Sequence, residues 1–194
     1  MSNSPAVWTI GHSNHDIESF VGLVLRNEIS HVVDVRSYPY SRFVPQFNRE
    51  ELRATLAARD VNYLFLGHAL GGRPERDEHF DEEGHALYGD MAQEPAFKDA
   101  IHQLLRGASQ HRLALMCSCG QPRDCHRRLL VGKVLCDHGA ELRHILPDGS
   151  LLDEKMVPLM SHDDQVRLFG HDKQPWRSAQ SVSRRRRLST SSAG

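Results

Sequence analysis

The chain's densest set of reactive side chains lies between positions 113 and 130, LALMCSCGQPRDCHRRLL. An apolar run ends at Cys117, a short polar loop follows, and Cys125, His126, Arg127 and Arg128 open a stretch of helical periodicity. A thiol becomes a nucleophile when ionised. A neighbouring cation or a helix N-terminus with free N–H donors favours that form, and the same donors attract anions. Three chemistries fit the segment. Cys117-x5-Arg123 has the spacing of Cys-based phosphatases, though Pro122 and the lack of glycine after Gly120 remove amide donors. Cys117, Cys119, Cys125 and His126 are four candidate zinc ligands, but adjacent Cys125 and His126 diverge at a helix start. The third is a metal-free site, with Cys117 or Cys125 beside His126 and Arg127 clamping an anion. The expectation here is the third, with no metal and no cofactor.

The elements that must position these groups follow from periodicity. Apolar runs at 6–11 (AVWTIG), 31–35 (HVVDV), 61–66 (VNYLFL), 113–117 and 141–146 (ELRHIL) predict five strands. Between them, Ile17, Phe20, Val21, Val24 and Leu25 fall at helical spacing after Asp16. Asn48 with Glu51 forms a capping-box pattern before Leu52 and Leu56. Pro95 suits the first turn of a helix carrying Phe97, Ile101, Leu104 and Leu105. A helix from Cys125 ends at Gly139. This alternation predicts one three-layer α/β domain over 1–150, with a mainly parallel sheet of about five strands and helices on both faces. Pro158 predicts an irregular extension at 151–170. Residues 171–194, polar and rich in serine, read as a disordered basic tail.

The order of elements gives the polar motifs a common address, because ligands bind at the carboxyl ends of strands in open α/β sheets. His12 and Ser13 follow the first strand. Asp34, Arg36, Ser41 and Arg42 follow the second, Gly71, Gly72 and Arg73 the third, and the cysteine loop the fourth. His12, Asp34, Cys117, Cys125 and His126 are therefore the candidates for nucleophile, acid or base. Ser13, Arg36, Ser41, Arg42, Gly71, Gly72, Arg73 and Arg127 are the candidates for holding an anionic substrate. The plainer roles are a helix cap for His12 and Ser13, a loop brace for Asp34 and a simple turn for the glycine pair. The long loop at 68–91, which includes His79, His85, Asp77, Glu78, Asp81, Glu82 and Glu83, reads as a solvated flap rather than a metal site.

Composition narrows the class. With 194 residues, 39% hydrophobic and 25% charged, the chain is of globular type. It has no apolar run of about 20 residues to span a bilayer and no secretory signal at its start, so the expected place is the cytoplasm, without membrane contact. Four cysteines lie close together, a pattern of chemistry more than of disulfides. The net charge is −1, yet Arg184–Arg187 make the tail basic and leave the remainder acidic. Non-specific DNA binding over the whole surface is thereby disfavoured. The tail itself is a candidate nucleic-acid contact.

TIGHSN at 9–14, VDVRSYPYSR at 33–42, YLFLGHALGGR at 63–73 and Cys117 with Cys125-His126-Arg127 together resemble the bacterial family known as domain of unknown function 488. The resemblance covers roughly 7–149 and implies an α/β domain without assigning an activity. Members of that family commonly carry an acidic residue at the position of Cys119. That departure counts against a zinc site built on Cys119, and it implies that the phosphatase-like spacing to Arg123 is accidental.

Two readings of function remain open. One is a hydrolase or group transferase acting on a phosphorylated, nucleotide or nucleic-acid-derived substrate; no dinucleotide or Walker-type glycine motif appears. The other is a non-catalytic module that binds a nucleotide or nucleic-acid component. The sequence gives no oligomeric state.

Overall fold

The fourth of the predicted strands, LALMC, is buried at every residue, as a central parallel strand covered on both faces must be. In the computed structural model, which describes residues 4–157 and 175–182, it lies between the first two strands. The elements in chain order are β1 (Ala6–Gly11), α1 (Ile17–Arg26), β2 (His31–Asp34), α2 (Arg49–Ala57), β3 (Asn62–Phe65), α3 (Gly67–Leu70), α4 (Tyr88–Met91), α5 (Pro95–Ala108), β4 (Leu113–Cys117), a π-helical turn (Arg127–Gly132), α6 (Lys133–Asp137), β5 (Glu141–Ile145) and β6 (Leu151–Asp153). The sheet order is β3-β2-β4-β1-β5-β6, parallel except for β6.

Alternation along the strands builds two apolar layers. Trp8, Ile10, Ala114 and Met116 face α1 and α2 through Phe20, Val24, Leu52 and Leu56. Val7, Leu113, Leu115 and Cys117 face α5, the π-helical turn and α6 through Ile101, Leu104, Leu130 and Leu135. The connections leaving β1 and β2 thus run to one face, and those leaving β3 and β4 to the other. The strand between β1 and β2 exits opposite to both its neighbours, so the carboxyl end of β4 is the switch point at which open α/β sheets place their ligand crevice. Gly11 is paired with Cys117 and Asp34 with Met116 at this edge.

Local signals set the helix ends. Asp16 accepts the Ser19 amide at 2.7 Å as the cap of α1, so His12 and Ser13 are not the cap. Gly139 turns the chain after α6 with φ 85°. Asn48 occupies the cap position of α2 but spends its side chain on the Ser41 amide, 2.7 Å away.

Three features depart from the sequence reading. A sixth strand, β6, pairs antiparallel with β5 inside the stretch expected to be irregular. The 68–91 loop is anchored rather than a solvated flap: Leu70, Ala86 and Tyr88 are buried in the core. It is also strapped by residues 175–182, part of the segment read as a disordered tail. There Ser178 donates its amide to the Ala86 carbonyl (2.9 Å), Arg177 pairs with Asp81 and Glu83, and Trp176 donates to the Leu129 carbonyl (2.9 Å). Arg184–Arg187 lie outside the described residues. Among the described residues no helix is long and apolar enough to cross a membrane.

Candidate functional site

β4 ends in Cys117, whose sulfur lies 3.1 Å from that of Cys125 and accepts the Cys119 amide at 3.3 Å. Beside them, His126 is fixed by its far nitrogen. Nε2 lies 2.8 Å from the Val35 carbonyl, which only accepts, so Nε2 carries the proton and Nδ1 faces the sulfurs, 3.9 Å from Cys125. The Gly72 backbone packs so closely on the His126 ring that a Cβ at 72 would meet it at 2.5 Å. The ring is therefore held on both sides.

The electrostatics of the cluster follow from this arrangement. Hydrogen bonding from Cys119 and Cys125, helped by the His126 imidazole, holds the Cys117 thiol well below its ordinary value against the effect of burial. Burial, then the bond to Cys117, pushes Cys125 up to about 12. Cys119 is raised by its bonds to Cys117 and Cys125. Burial lowers His126, but the Cys117 sulfur outweighs it and the imidazole is raised overall. These opposite shifts favour a thiolate on Cys117 and an imidazolium at His126, with the other thiols as donors.

His12 stands across the crevice, its amide 2.9 Å from the Cys117 carbonyl. Its ring stacks on Phe47 at 4.4 Å, and Nδ1 donates to the Ser13 carbonyl at 3.0 Å. Nε2 is left as a lone pair with no protein partner among the described residues. Burial first, then the Arg36 charge, lowers its pKa. A buried neutral imidazole with an unused lone pair has the form of a general base. Ser13 takes φ 48°, which brings its amide to the Ser118 carbonyl at 3.2 Å.

Several expected roles need correction. Asp34 accepts the Arg36 amide, Nε and NH2 and the Tyr63 hydroxyl at 2.6–3.2 Å, so its oxygens are consumed and it braces rather than moves protons. Arg36 is tied to Asp34 and the Phe47 carbonyl, leaving NH1 as its one nitrogen without a partner among the described residues. Arg127 is no anion clamp. It is fully buried and donates to the Cys119 and Gly120 carbonyls, Thr9 Oγ1 and the Cys125 sulfur. Gly71 and Gly72 permit close approach, to Ser37 and His126 respectively. Ser41 caps its own loop by accepting the Phe43 amide at 3.2 Å. Arg42 and Arg73 are exposed, with no carboxylate partner among the described residues.

Sequence reasoning missed the groups that hold the site. Thr9 Oγ1 bonds His144 Nδ1 at 2.8 Å, His144 Nε2 donates to Glu154 at 2.7 Å, and Arg128 forks onto Glu154 at 2.9 and 3.0 Å. Through Thr9 this chain reaches Arg127 and hence the cysteine loop. Buried Tyr88 lies close enough to the three thiols that burial and their charge raise its hydroxyl. No spacing pattern links these positions. Only the pairing of β1 with β5 brings Thr9 and His144 into register.

Cys117, Cys125 and His126 also present ligand atoms all within 4.8 Å of one another, a group able to hold a metal ion. Residues 16–134 match the family described as Domain of unknown function DUF488. The chain belongs to that family. Neither the curated proteins nor the solved structures contain a match. The matched DUF488 stretch holds every residue of the thiol cluster together with Asp34 and Arg36, while β1 with His12, and β5 and β6 with His144 and Glu154, flank it.

Proposed function

We propose that the protein is a thiol-dependent enzyme, a hydrolase or group transferase, whose substrate is phosphorylated or derived from a nucleotide or nucleic acid. The observation that carries this reading is the His126 clamp. With Nε2 fixed on the Val35 carbonyl, Nδ1 faces the sulfurs, as nucleophilic catalysis at a Cys–His pair requires. In this scheme the Cys117 thiolate attacks the electrophilic atom of the substrate, and the bond to the leaving group breaks as that group takes the Nδ1 proton of the His126 imidazolium. His12 Nε2 then takes a proton from the water or acceptor that releases the product from sulfur. Exposed Arg42 and Arg73, with the free NH1 of Arg36, supply positive charge for the substrate's anionic group.

The test is turnover of a panel of nucleotides, sugar phosphates and short oligonucleotides, with products resolved by mass. Cys117→Ser should reduce any turnover by about a thousandfold or more. His12→Ala should let a substrate adduct accumulate on Cys117. A substrate processed equally well by Cys117→Ser ends the reading.

The compactness of the Cys117–Cys125–His126 group favours a second reading, a metal held by two thiolates and an imidazole. The His126 bond to the Val35 carbonyl is the kind of support a ligating histidine receives. Against it, sulfurs on tetrahedral zinc stand about 3.8 Å apart given Zn–S distances near 2.3 Å, and these stand at 3.1 Å. One equivalent of zinc per chain, lost together with the fold on chelation, would make this the better account. The non-catalytic alternative is favoured if no compound on the panel is turned over although nucleotides stabilise the fold.

A further inference from the structure

Six large hydrophobic side chains stand exposed among the described residues, and three share one short loop: Tyr38 at 66%, Tyr40 at 77% and Phe43 at 80%. That loop, between β2 and α2, begins at Arg36 and closes at Phe47, and both of these residues touch the candidate site. Phe47 stacks on His12, and its carbonyl accepts Arg36. The aromatic rim and the reactive edge are therefore one continuous surface. The loop is also held in shape. Ser41 donates its amide to Asn48 at 2.7 Å, Phe43 donates to Ser41 Oγ at 3.2 Å, and Arg49 donates to the Pro39 carbonyl at 3.0 Å. Rings exposed on an anchored loop leave apolar area in water with no fold-stabilising return, which calls for an occupant.

Charge identifies the occupant. From 35 to 49 the sequence, VRSYPYSRFVPQFNR, holds three arginines and no carboxylate; Arg36 is forked onto Asp34 and Arg49 lies 3.6 Å from Glu50 at the surface, while Arg42 meets no carboxylate among the described residues. The Arg42 guanidinium lies over the Phe43 ring at 4.7 Å, and that of Arg49 over the Phe65 ring at 4.7 Å. Rings interleaved with such cations suit a ligand that offers flat faces and negative charge in alternation. A single-stranded nucleic acid does so, since its unpaired bases stack on aromatic rings while phosphates meet arginines. A duplex hides its base faces, and an acidic protein partner would answer the arginines without needing three exposed flat rings.

We propose that the 38–43 loop is a stacking platform for single-stranded nucleic acid, feeding the strand across Phe47 to the thiol site. The proposal rests on the nucleic-acid branch of the functional reading above and narrows it to unpaired strands.

The experiment is fluorescence anisotropy of a labelled oligothymidylate and its oligouridylate counterpart with the full chain, titrated at several salt concentrations, with duplex of equal length as the comparison. Single strands should bind at least tenfold more tightly than duplex. With Tyr38→Ala, Tyr40→Ala and Phe43→Ala combined, affinity should fall by about tenfold for each base that loses its ring. Neutralising Arg42 and Arg49 should flatten the dependence of log Kd on log salt by about 1.4, two phosphates on a single strand. Because all three rings are exposed, the variant should keep the native circular dichroism and melting temperature. Combining Arg184→Ser, Arg185→Ser, Arg186→Ser and Arg187→Ser in the full chain separates the tail: affinity should fall without removing the effect of the rings. No single-strand binding, equal affinity for duplex, or binding that the triple variant leaves unchanged overturns the proposal. So does loss of self-association or of a protein partner as the only effect of the triple variant. Binding without turnover of any strand would end the thiol-enzyme reading alone; turnover of a mononucleotide without strand binding would end this one alone.

Discussion

Two arginines are buried at the carboxyl edge of the sheet, and their charges are balanced in different ways. Arg36, 7% exposed, is forked onto the Asp34 carboxylate, which also accepts the Tyr63 hydroxyl. Arg127, 0% exposed, meets no carboxylate among the described residues. Its hydrogen bonds go to two loop carbonyls, a threonine hydroxyl and the Cys125 sulfur. A buried cation without a counterion is costly. At Arg127 the nearest groups able to become negative are the thiols. The Asp34–Arg36 pair thus fixes geometry at little net charge, whereas Arg127 and His126 make the cysteine loop a place where a thiolate is favoured.

Breaking the neutral pair should have the largest effect. Asp34→Ala leaves a buried guanidinium and the Tyr63 hydroxyl unpaired and should cost about 3–5 kcal/mol in urea unfolding. Combining Asp34→Leu with Arg36→Met should recover most of that loss, since the pair acts as a unit. If the double variant is as unstable as the single, Asp34 does more than balance Arg36.

Arg127→Met removes no partner carboxylate but strands the Cys119 and Gly120 carbonyls, so about 2–4 kcal/mol should be lost. Arg127→Lys sharpens the contrast. It keeps the charge but not the fork, so it should preserve thiol ionisation better than stability. The two should fall together if the guanidinium acts only as a scaffold.

Glu154→Gln should cost about 1–2 kcal/mol, because the half-buried carboxylate accepts from His144 and Arg128. Burial raises the Glu154 pKa, but those two partners outweigh it and the net shift is downward. A depressed carboxyl contributes stability above its unfolded pKa and loses it as pH falls through the lower folded value. The stability difference between the native chain and Glu154→Gln should therefore be full at neutral pH and shrink only below the ordinary carboxylate range. A difference that disappears on raising the pH from neutral would contradict this assignment.

These contrasts also explain what could be read from the sequence. Strands β1 to β5, and the helices framed by Asp16, Pro95 and Gly139, were legible because burial imposes a period on the apolar residues and caps need particular chemistry. The rule that strand ends converge then placed His12, Asp34, Arg36 and Cys117 at one edge correctly. Strand β6, Leu151–Asp153, was not legible: at a sheet edge only Leu152 is partly covered, so no alternation marks it. The 68–91 loop read as a flap because its carboxylates dominate its composition, while Leu70, Ala86 and Tyr88 are too scattered to show a period. Nor does a sequence distinguish an arginine forked on carbonyls from one open to a ligand, which is why Arg127 was assigned to an anion. The Glu154–His144–Thr9 chain depends on a partner 135 positions away and exists only once β5 lies beside β1.

The chemistry proposed for this site depends on Cys117 being the thiol of its cluster that ionises first. The direct measurement is the ultraviolet thiolate absorbance of the native chain minus that of Cys117→Ser, followed from about pH 4 to 10 and independent of reagent access. A single thiolate should persist at neutral pH and disappear only as pH falls well below the free-thiol value of about 8.5, with its midpoint moved upward in Arg127→Met. A difference signal that first rises at or above the free-thiol value would contradict it.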